Sequence, residues 1–314
     1  MGNKIRKVAV VGFGTLGKAV VYHCAVAGYE TYAYDTDIKA LEKGKTSIEK
    51  WLDERTGDGR LQSEVAKAAL SRLHFSNDLS EVVSDAEMVV ESVPENLELK
   101  RQVMSDIDSL APQEAILASS TSSIPCFRFA DATNRPDKVI NMHFVSLPDF
   151  PLADLMWGPD TAKQTIIKAD AFVRSLGKSS VLIYKEIFGC GFPRIWHAVK
   201  KEALWVVDKG YMSFEDIDRY WMHLTGSHIG IFGILDLSGL DTIRDIEMSY
   251  YLESGKEEDK PPQILDDLIS QGRLGTKTGQ GFYSYPNPDY EKEDWLFKIG
   301  QWQDDLALTL KKEK

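Results

Sequence analysis

Short apolar runs alternate with longer amphipathic stretches over the first 186 residues. The runs at 8–11, 31–34, 74–76, 88–91, 115–118, 139–142 and 181–184 read as buried strands. The helix-period stretches between them, one of them at 161–176, read as crossovers. That alternation predicts a doubly wound parallel sheet, since parallel neighbours need a connection that covers a sheet face. The polar stretch from 39 to about 73 exceeds a plain crossover and is broken at Thr56-Gly57-Asp58-Gly59, which predicts a helical hairpin inserted between strands. From about 187 the strand signals vanish. The segment 196–209 has helical periodicity (Val199, Ala203, Val206, Val207) and stops at Gly210; 216–224 and 235–251 also read as helices. The pattern predicts two domains: an α/β domain over 1–186 and a smaller all-α domain over 187–314.

The first strand runs straight into Gly12-Phe13-Gly14-Thr15-Leu16-Gly17, a helix-forming stretch follows, and the second strand ends at Asp35. A dinucleotide pyrophosphate requires this order. Gly12 makes the tight turn, Gly14 lets the backbone approach the phosphates, and Gly17 lets helix and strand pack closely. The helix then aims its free N–H groups at the anion. With strand before and helix after, the G-x-G-x-x-G predicts a Rossmann-type domain whose cofactor contacts include Gly12, Gly14, Thr15, Leu16, Gly17 and Asp35. Asp35 would bond the ribose hydroxyls, and Thr36-Asp37 offer no arginine for a 2′-phosphate, so NAD is favoured over NADP.

Composition changes the picture by exclusion. A formal charge of −11 over 314 residues argues against a nucleic-acid surface. Cys24, Cys126 and Cys190 lie far apart, suggest neither a disulfide framework nor a zinc site, and fit a reducing cytoplasm. No run has the length of a membrane helix, and the N-terminus enters its first strand too soon for a signal peptide. Met1-Gly2 resembles the start of a myristoylation site, but Arg6 stands where Ser or Thr is needed.

Ligands of open α/β sheets sit beyond the C-terminal strand ends. Three clusters fall there: Glu91-Ser92-Val93-Pro94-Glu95 with Lys100 a turn further on, Ser119-Ser120-Thr121-Ser122-Ser123, and His143-Phe144. An imidazole beside a redox cofactor suits removal of an alcohol proton, so His143 is the candidate base. Its orienting acid is Asp154, set in the apolar segment Pro151-Leu152-Ala153-Asp154-Leu155-Met156, or Asp149, whose flanks suggest an exposed turn. The other histidines considered (His74, His197, His223, His228) have no comparable setting, and no metal-binding motif is present. Lys39, Lys43 and Lys50 share a narrow helix face that either meets a phosphate-bearing substrate such as coenzyme A or is simply solvated. Trp157, Trp196, Phe192, Tyr211, Trp221 and Phe232 fall in or near the substrate half, as core, interface or pocket residues.

Taken in order, these motifs resemble the L-3-hydroxyacyl-CoA dehydrogenase family, including its lambda-crystallin (gulonate dehydrogenase) and diketoreductase relatives, over nearly the whole chain. Near the C-terminus Gly272-Arg273-Leu274-Gly275-Thr276-Lys277-Thr278-Gly279-Gln280-Gly281-Phe282-Tyr283 is similar to the family's closing glycine-rich signature. The resemblance implies that His143 is the general base in alcohol oxidation and the acid in ketone reduction. It implies that Ser122 bonds the reacting oxygen and the nicotinamide region, and that Glu95, Lys100 and Lys277 belong to the NAD site. The family's histidine partner is a Glu; matching Pro159 and Thr161 places Asp154 there, with a one-residue gap. Two departures stand out. Val145-Ser146-Leu147 replaces the Asn-Pro expected after His-Phe, and Pro193 replaces an Asn that helps bind the substrate carbonyl, removing a donor. Pro193 is suited to starting the next helix. The implied protein is an NAD-dependent, homodimeric, cytoplasmic dehydrogenase of a 3-hydroxyacyl compound, as its CoA thioester. The rival readings are a dehydrogenase of a free hydroxy or keto acid, and a non-catalytic, crystallin-like NAD(H)-binding protein.

Overall fold

The computed structural model describes residues 5–144, 150–292 and 294–297. Met1, Gly2, Ser146, Leu147 and Asp149 therefore lie outside the described residues. The chain divides into two compact units, Met1–Arg194 and Ile195–Lys314.

In the first unit the elements follow as β1 (Lys7–Val11), α1 (Thr15–Val26), β2 (Glu30–Tyr34), α2 (Ile38–Gly57), α3 (Ser63–Ser71), β3 (Leu73–Ser76), α4 (Leu79–Val83) and β4 (Met88–Glu91). Then come α5 (Leu97–Leu110), β5 (Ile116–Ser119), α6 (Phe127–Ala130), β6 (Val139–Phe144), β7 (Leu152–Met156), α7 (Lys163–Ser175) and β8 (Ser179–Ile183). The sheet order is β3-β2-β1-β4-β5-β6-β7-β8. Strands β1 to β6 are parallel, so the doubly wound Rossmann-type sheet expected from the sequence is present, with its reversal of strand order between β1 and β4. The central strands β1, β4, β5 and β6 are buried on both faces, which is why they read as continuous apolar runs, whereas β3 is half-buried and β8 largely exposed. Val8 and Val10 point into a core with Val20, Ile48 and Phe172, while Ala9 and Val11 point into one with Met104, Ile107 and Phe129. The inserted hairpin is α2 and α3. Helix α2 turns Leu41, Gly44, Ile48 and Leu52 inward at helical spacing, and Gly44 lies against the Phe13 ring so closely that a Cβ would overlap it.

Strand β7 departs from the sequence reading. It is antiparallel to β6, pairing Asn141 with Met156, Met142 with Leu155 and His143 with Asp154. This pairing carries β6 on to Phe144, so His143 sits within the strand rather than after it.

In the second unit the helices are α8 (Phe192–Asp208, whose first turn precedes the division), α9 (Phe214–Thr225), α10 (Ile231–Ser238), α11 (Leu240–Ser254) and α12 (Gln263–Ser270). The single helix expected over 235–251 is two helices. Gly239 (φ 91°) breaks it, and the Leu240 N–H goes to the Leu274 carbonyl instead of up the helix. Phe232 is fully buried in this unit's core, and Trp196 and Trp221 pack against that core with their rings 6.3 Å apart. Phe192 and Tyr211 are exposed, and Trp157 packs against the sheet core. No helix among the described residues is long and apolar enough to cross a membrane.

Candidate active site

The glycine loop behaves as its residue types require. Gly12 adopts φ 97°, and a Cβ there would lie 2.7 Å from the Ser92 backbone; a Cβ on Gly17 would overlap the Gly12 carbonyl oxygen. Gly14 is different. Nothing lies within 4 Å of the position its Cβ would take, so the loop is open where a phosphate must approach. Gly14 also caps α1 without a side-chain hydrogen bond, and no acid stands in the first turn formed by Thr15 and Leu16, which leaves backbone donors for an anion. At the end of β2, Asp35 accepts from the Phe13 N–H at 2.9 Å and the Asp37 N–H at 3.0 Å. The loop and the acid are thereby locked together, and Asp37 adds further negative charge where a 2′-phosphate would sit. These residues fit NAD.

At the ends of β4 and β5 a network of acids and hydroxyls fixes the second and third clusters. Lys100 is 1% exposed; its ammonium lies 3.0 Å from Glu91 Oε1 and 3.3 Å from Glu95 Oε2 and donates to the Val93 carbonyl at 3.2 Å. Glu91 also accepts from Ser119 Oγ at 2.5 Å. Glu95 accepts from the hydroxyls of Thr121 and Ser123 and from the Ser123 N–H at 3.1 Å. Burial alone would raise its carboxyl, but Lys100 and the Ser123 and Thr121 hydroxyls outweigh that and hold it below the usual range. Glu95 thus grips both neighbours of Ser122, whose own hydroxyl has no partner among the described residues. Lys100 is enclosed by this network, so any influence on a ligand passes through Glu95.

On the adjacent strand, His143 Nδ1 lies 3.2 Å from Asp154 Oδ2, and both residues are 8% exposed. The pairing follows from register: the two stand opposite one another on β6 and β7, so their side chains share a face. Asn141, two residues earlier and on the same face, accepts from the Cys126 N–H at 2.7 Å and donates to the Ile124 carbonyl at 3.0 Å. That bond ties β6 to the end of the hydroxyl loop, and His143 faces the same way by strand alternation. His143 Nε2 has no partner among the described residues. Elsewhere, Lys277 is ion-paired with Asp241 in the second unit. Lys39, Lys43 and Lys50 are exposed on α2, with Lys50 3.6 Å from Glu54. Among the described residues no group of acids, histidines and cysteines could hold a metal ion. Sequence reasoning assigned no role to Glu91 or to the Gly189-Cys190-Gly191 turn. The signals available were an acid ending an apolar strand and a cysteine between two glycines.

Residues 7–187 match the family model of the 3-hydroxyacyl-CoA dehydrogenase NAD-binding domain, and 191–285 match that family's C-terminal domain. The chain is 30% identical over 285 residues to the 5-formyl-3-hydroxy-2-methylpyridine 4-carboxylate 5-dehydrogenase of Mesorhizobium japonicum, covering 90% of this chain and 91% of that protein. It is 29% identical over 287 residues to the 3-hydroxybutyryl-CoA dehydrogenase of Mycobacterium tuberculosis, covering 91% and 100%. The crystal structure of (S)-3-hydroxybutyryl-CoA dehydrogenase from Ralstonia eutropha superposes with a TM-score of 0.82 at 30% identity, over 90% of this chain and 100% of that one.

Proposed function

Since the chain belongs to the 3-hydroxyacyl-CoA dehydrogenase family, an NAD-dependent oxidoreductase family, we propose that it interconverts a 3-hydroxyacyl compound, as its CoA thioester, and the 3-keto form. The observation that carries this reading is the His143–Asp154 pair at 3.2 Å, facing the side of the sheet that bears the Ser122 loop. With Nδ1–H donating to Asp154, Nε2 presents its lone pair and takes the substrate hydroxyl proton. Asp154 stabilises the imidazolium that results. Ser122, its neighbours held by Glu95, donates to the reacting oxygen. When bound, NAD supplies the hydride acceptor. Gly12, Gly14, Thr15, Leu16 and Gly17 would hold its phosphates and Asp35 its ribose, while Glu95, backed by Lys100, would line the nicotinamide end.

The test is NADH formation from paired 3-hydroxyacyl-CoA esters and free acids, both enantiomers, with NADP⁺ as control. Thioester turnover supports the reading; inert thioesters with active free acids replace it with the second one, dehydrogenation of a free hydroxy or keto acid. Two observations favour that alternative: Pro193 in the first turn of α8 offers no side-chain donor, and one relative is named for a pyridine carboxylate. Lys39 and Lys43 discriminate. Reversing their charge raises KM for a thioester by about tenfold if they meet CoA phosphates and leaves KM for a free acid unchanged. Homodimerisation is proposed through the second unit, where Tyr220, Leu224 and Leu237 are 71%, 74% and 58% exposed; light scattering at the chain mass would count against it.

A further inference from the structure

The segment between β8 and α8 bonds at several points to the loop that carries Ser122, at residues on either side of it. Glu186 anchors it, accepting from the Phe127 N–H at 2.8 Å and the Cys126 thiol at 3.2 Å. Gly189 then donates its N–H to the Ser123 carbonyl at 2.8 Å. The Cys190 thiol points at the Thr121 carbonyl, 3.7 Å away. The two flanks of Ser122 are therefore held from this side by consecutive residues. One residue later the strap passes the other half of the site: a Cβ on Gly191 would sit 3.9 Å from Asp154 Oδ1 and 3.2 Å from Ile183 Cδ1.

We infer that the strap at 186–191 is a positioning device for the reaction, and that Cys190 is its central positioning residue, fixing the Ser122 loop relative to the His143–Asp154 pair. Cys190 adopts φ 45°, the one non-glycine residue with positive φ among the described residues, next to Gly189 at 87°. An L residue with a side chain is strained there and is held only when its surroundings demand it. Here the demand is the thiol's target. Cys190 is 1% exposed, and burial, with the charges of Asp154 and Glu95 adding to it, pushes its acidity far below that of an ordinary thiol. The group therefore stays protonated and remains a donor to Thr121 while standing between two carboxylates. A carboxyl or a bulkier side chain could not do both.

The inference rests on the function proposed above, so wild-type turnover is measured first. Total inactivity across the substrate panel would remove that reading and this one together. Given an active wild type, Cys190→Ala should lower kcat about ten- to hundredfold and leave KM for NAD within about twofold. Cys190→Ser, which keeps a donor, should regain most of the loss. Amide exchange over 119–124 should rise in the Ala variant and stay near wild type in the Ser variant. An Ala variant with wild-type kcat would overturn the inference and leave the proposed function standing. Equal losses in Ala and Ser variants would overturn it too, since packing rather than donation would then be at stake. Should the Ala variant not fold, the Ser variant decides: less than about half of wild-type kcat counts against the donor role.

Discussion

The chemistry proposed for this chain turns on two side chains held face to face by strand register. His143 and Asp154 stand opposite one another on β6 and β7, with Nδ1 and Oδ2 3.2 Å apart. Removing the base, His143→Ala, should cost about 10²–10⁴ in kcat, read under saturating substrate; turnover left intact would dismiss His143. Asp154→Asn keeps the shape but can present an amide donor to Nδ1, which drives the ring proton to Nε2 and leaves no base toward the substrate. We expect a loss nearly as large, with KM for NAD unchanged, and an unaffected rate would move attention to Asp149. This pair was readable from sequence because a carboxylate inside an apolar segment must find a partner. Lys100 was not readable in the same way. Its place a turn after Glu95 says nothing about which way it points, and only the fold shows that Glu91, ending a fully buried strand, turns it inward.

Among the elements, the β1–α1 turn makes the sharpest prediction because its glycines do different work. Gly14 has φ −69°, ordinary for any residue, and open space beyond it. Gly14→Ala should fold with an unchanged melting temperature and bind NADH at least about tenfold more weakly, since the methyl occupies the phosphate approach. Gly17→Ala should fail earlier. Its methyl would overlap the Gly12 carbonyl, and forcing α1 away from β1 costs about 1–3 kcal/mol, seen as a fall in melting temperature without ligand. Equal melting temperatures for the two variants would contradict this division of roles. The loop, the parallel strands and the α2–α3 insertion were legible because period and turn residues are local signals. β7 was not, because a five-residue strand with an acid at its centre has no clean alternation and exists through pairing with β6. The break at Gly239 was missed for a related reason: apolar periodicity continues through it, and the turn depends on Leu274, which is remote in sequence.

At the scale of the whole chain, the two units answer pH in opposite directions. In the second, Asp218 is fully buried, accepts from the Phe232 N–H at 2.9 Å, the Gly233 N–H at 3.2 Å and the Tyr283 hydroxyl at 2.9 Å, and is pushed up to about 6 by burial. Burial raises Asp236 as well. A carboxyl that binds its proton more tightly in the folded than in the unfolded chain stabilises the fold most below the unfolded value of about 3.9. That contribution disappears as pH rises through about 6; for Asp218 it is of order 2–3 kcal/mol. In the first unit the sign reverses. Burial would raise Asp108, but the Asn134 N–H and side chain and the Arg135 guanidinium outweigh it, as Lys100 and two hydroxyls do for Glu95. Those contributions are complete above the ordinary carboxylate range and are lost only as pH falls through the lowered values. Between about pH 5 and 7.5, above the ordinary carboxylate range, the second unit should then weaken with rising pH while the first holds steady. Hydrogen exchange at pH 5 and 7.5, corrected for intrinsic rates, should show more opening over 230–285 at the higher pH and no change over 100–140. Asp218→Asn mimics the protonated acid, with its amide able to donate to the Tyr283 hydroxyl oxygen, and should flatten the dependence of the second unit while leaving that of the first. A variant as pH-sensitive as the parent would show that the buried carboxyl is charged throughout, carried by its three donors.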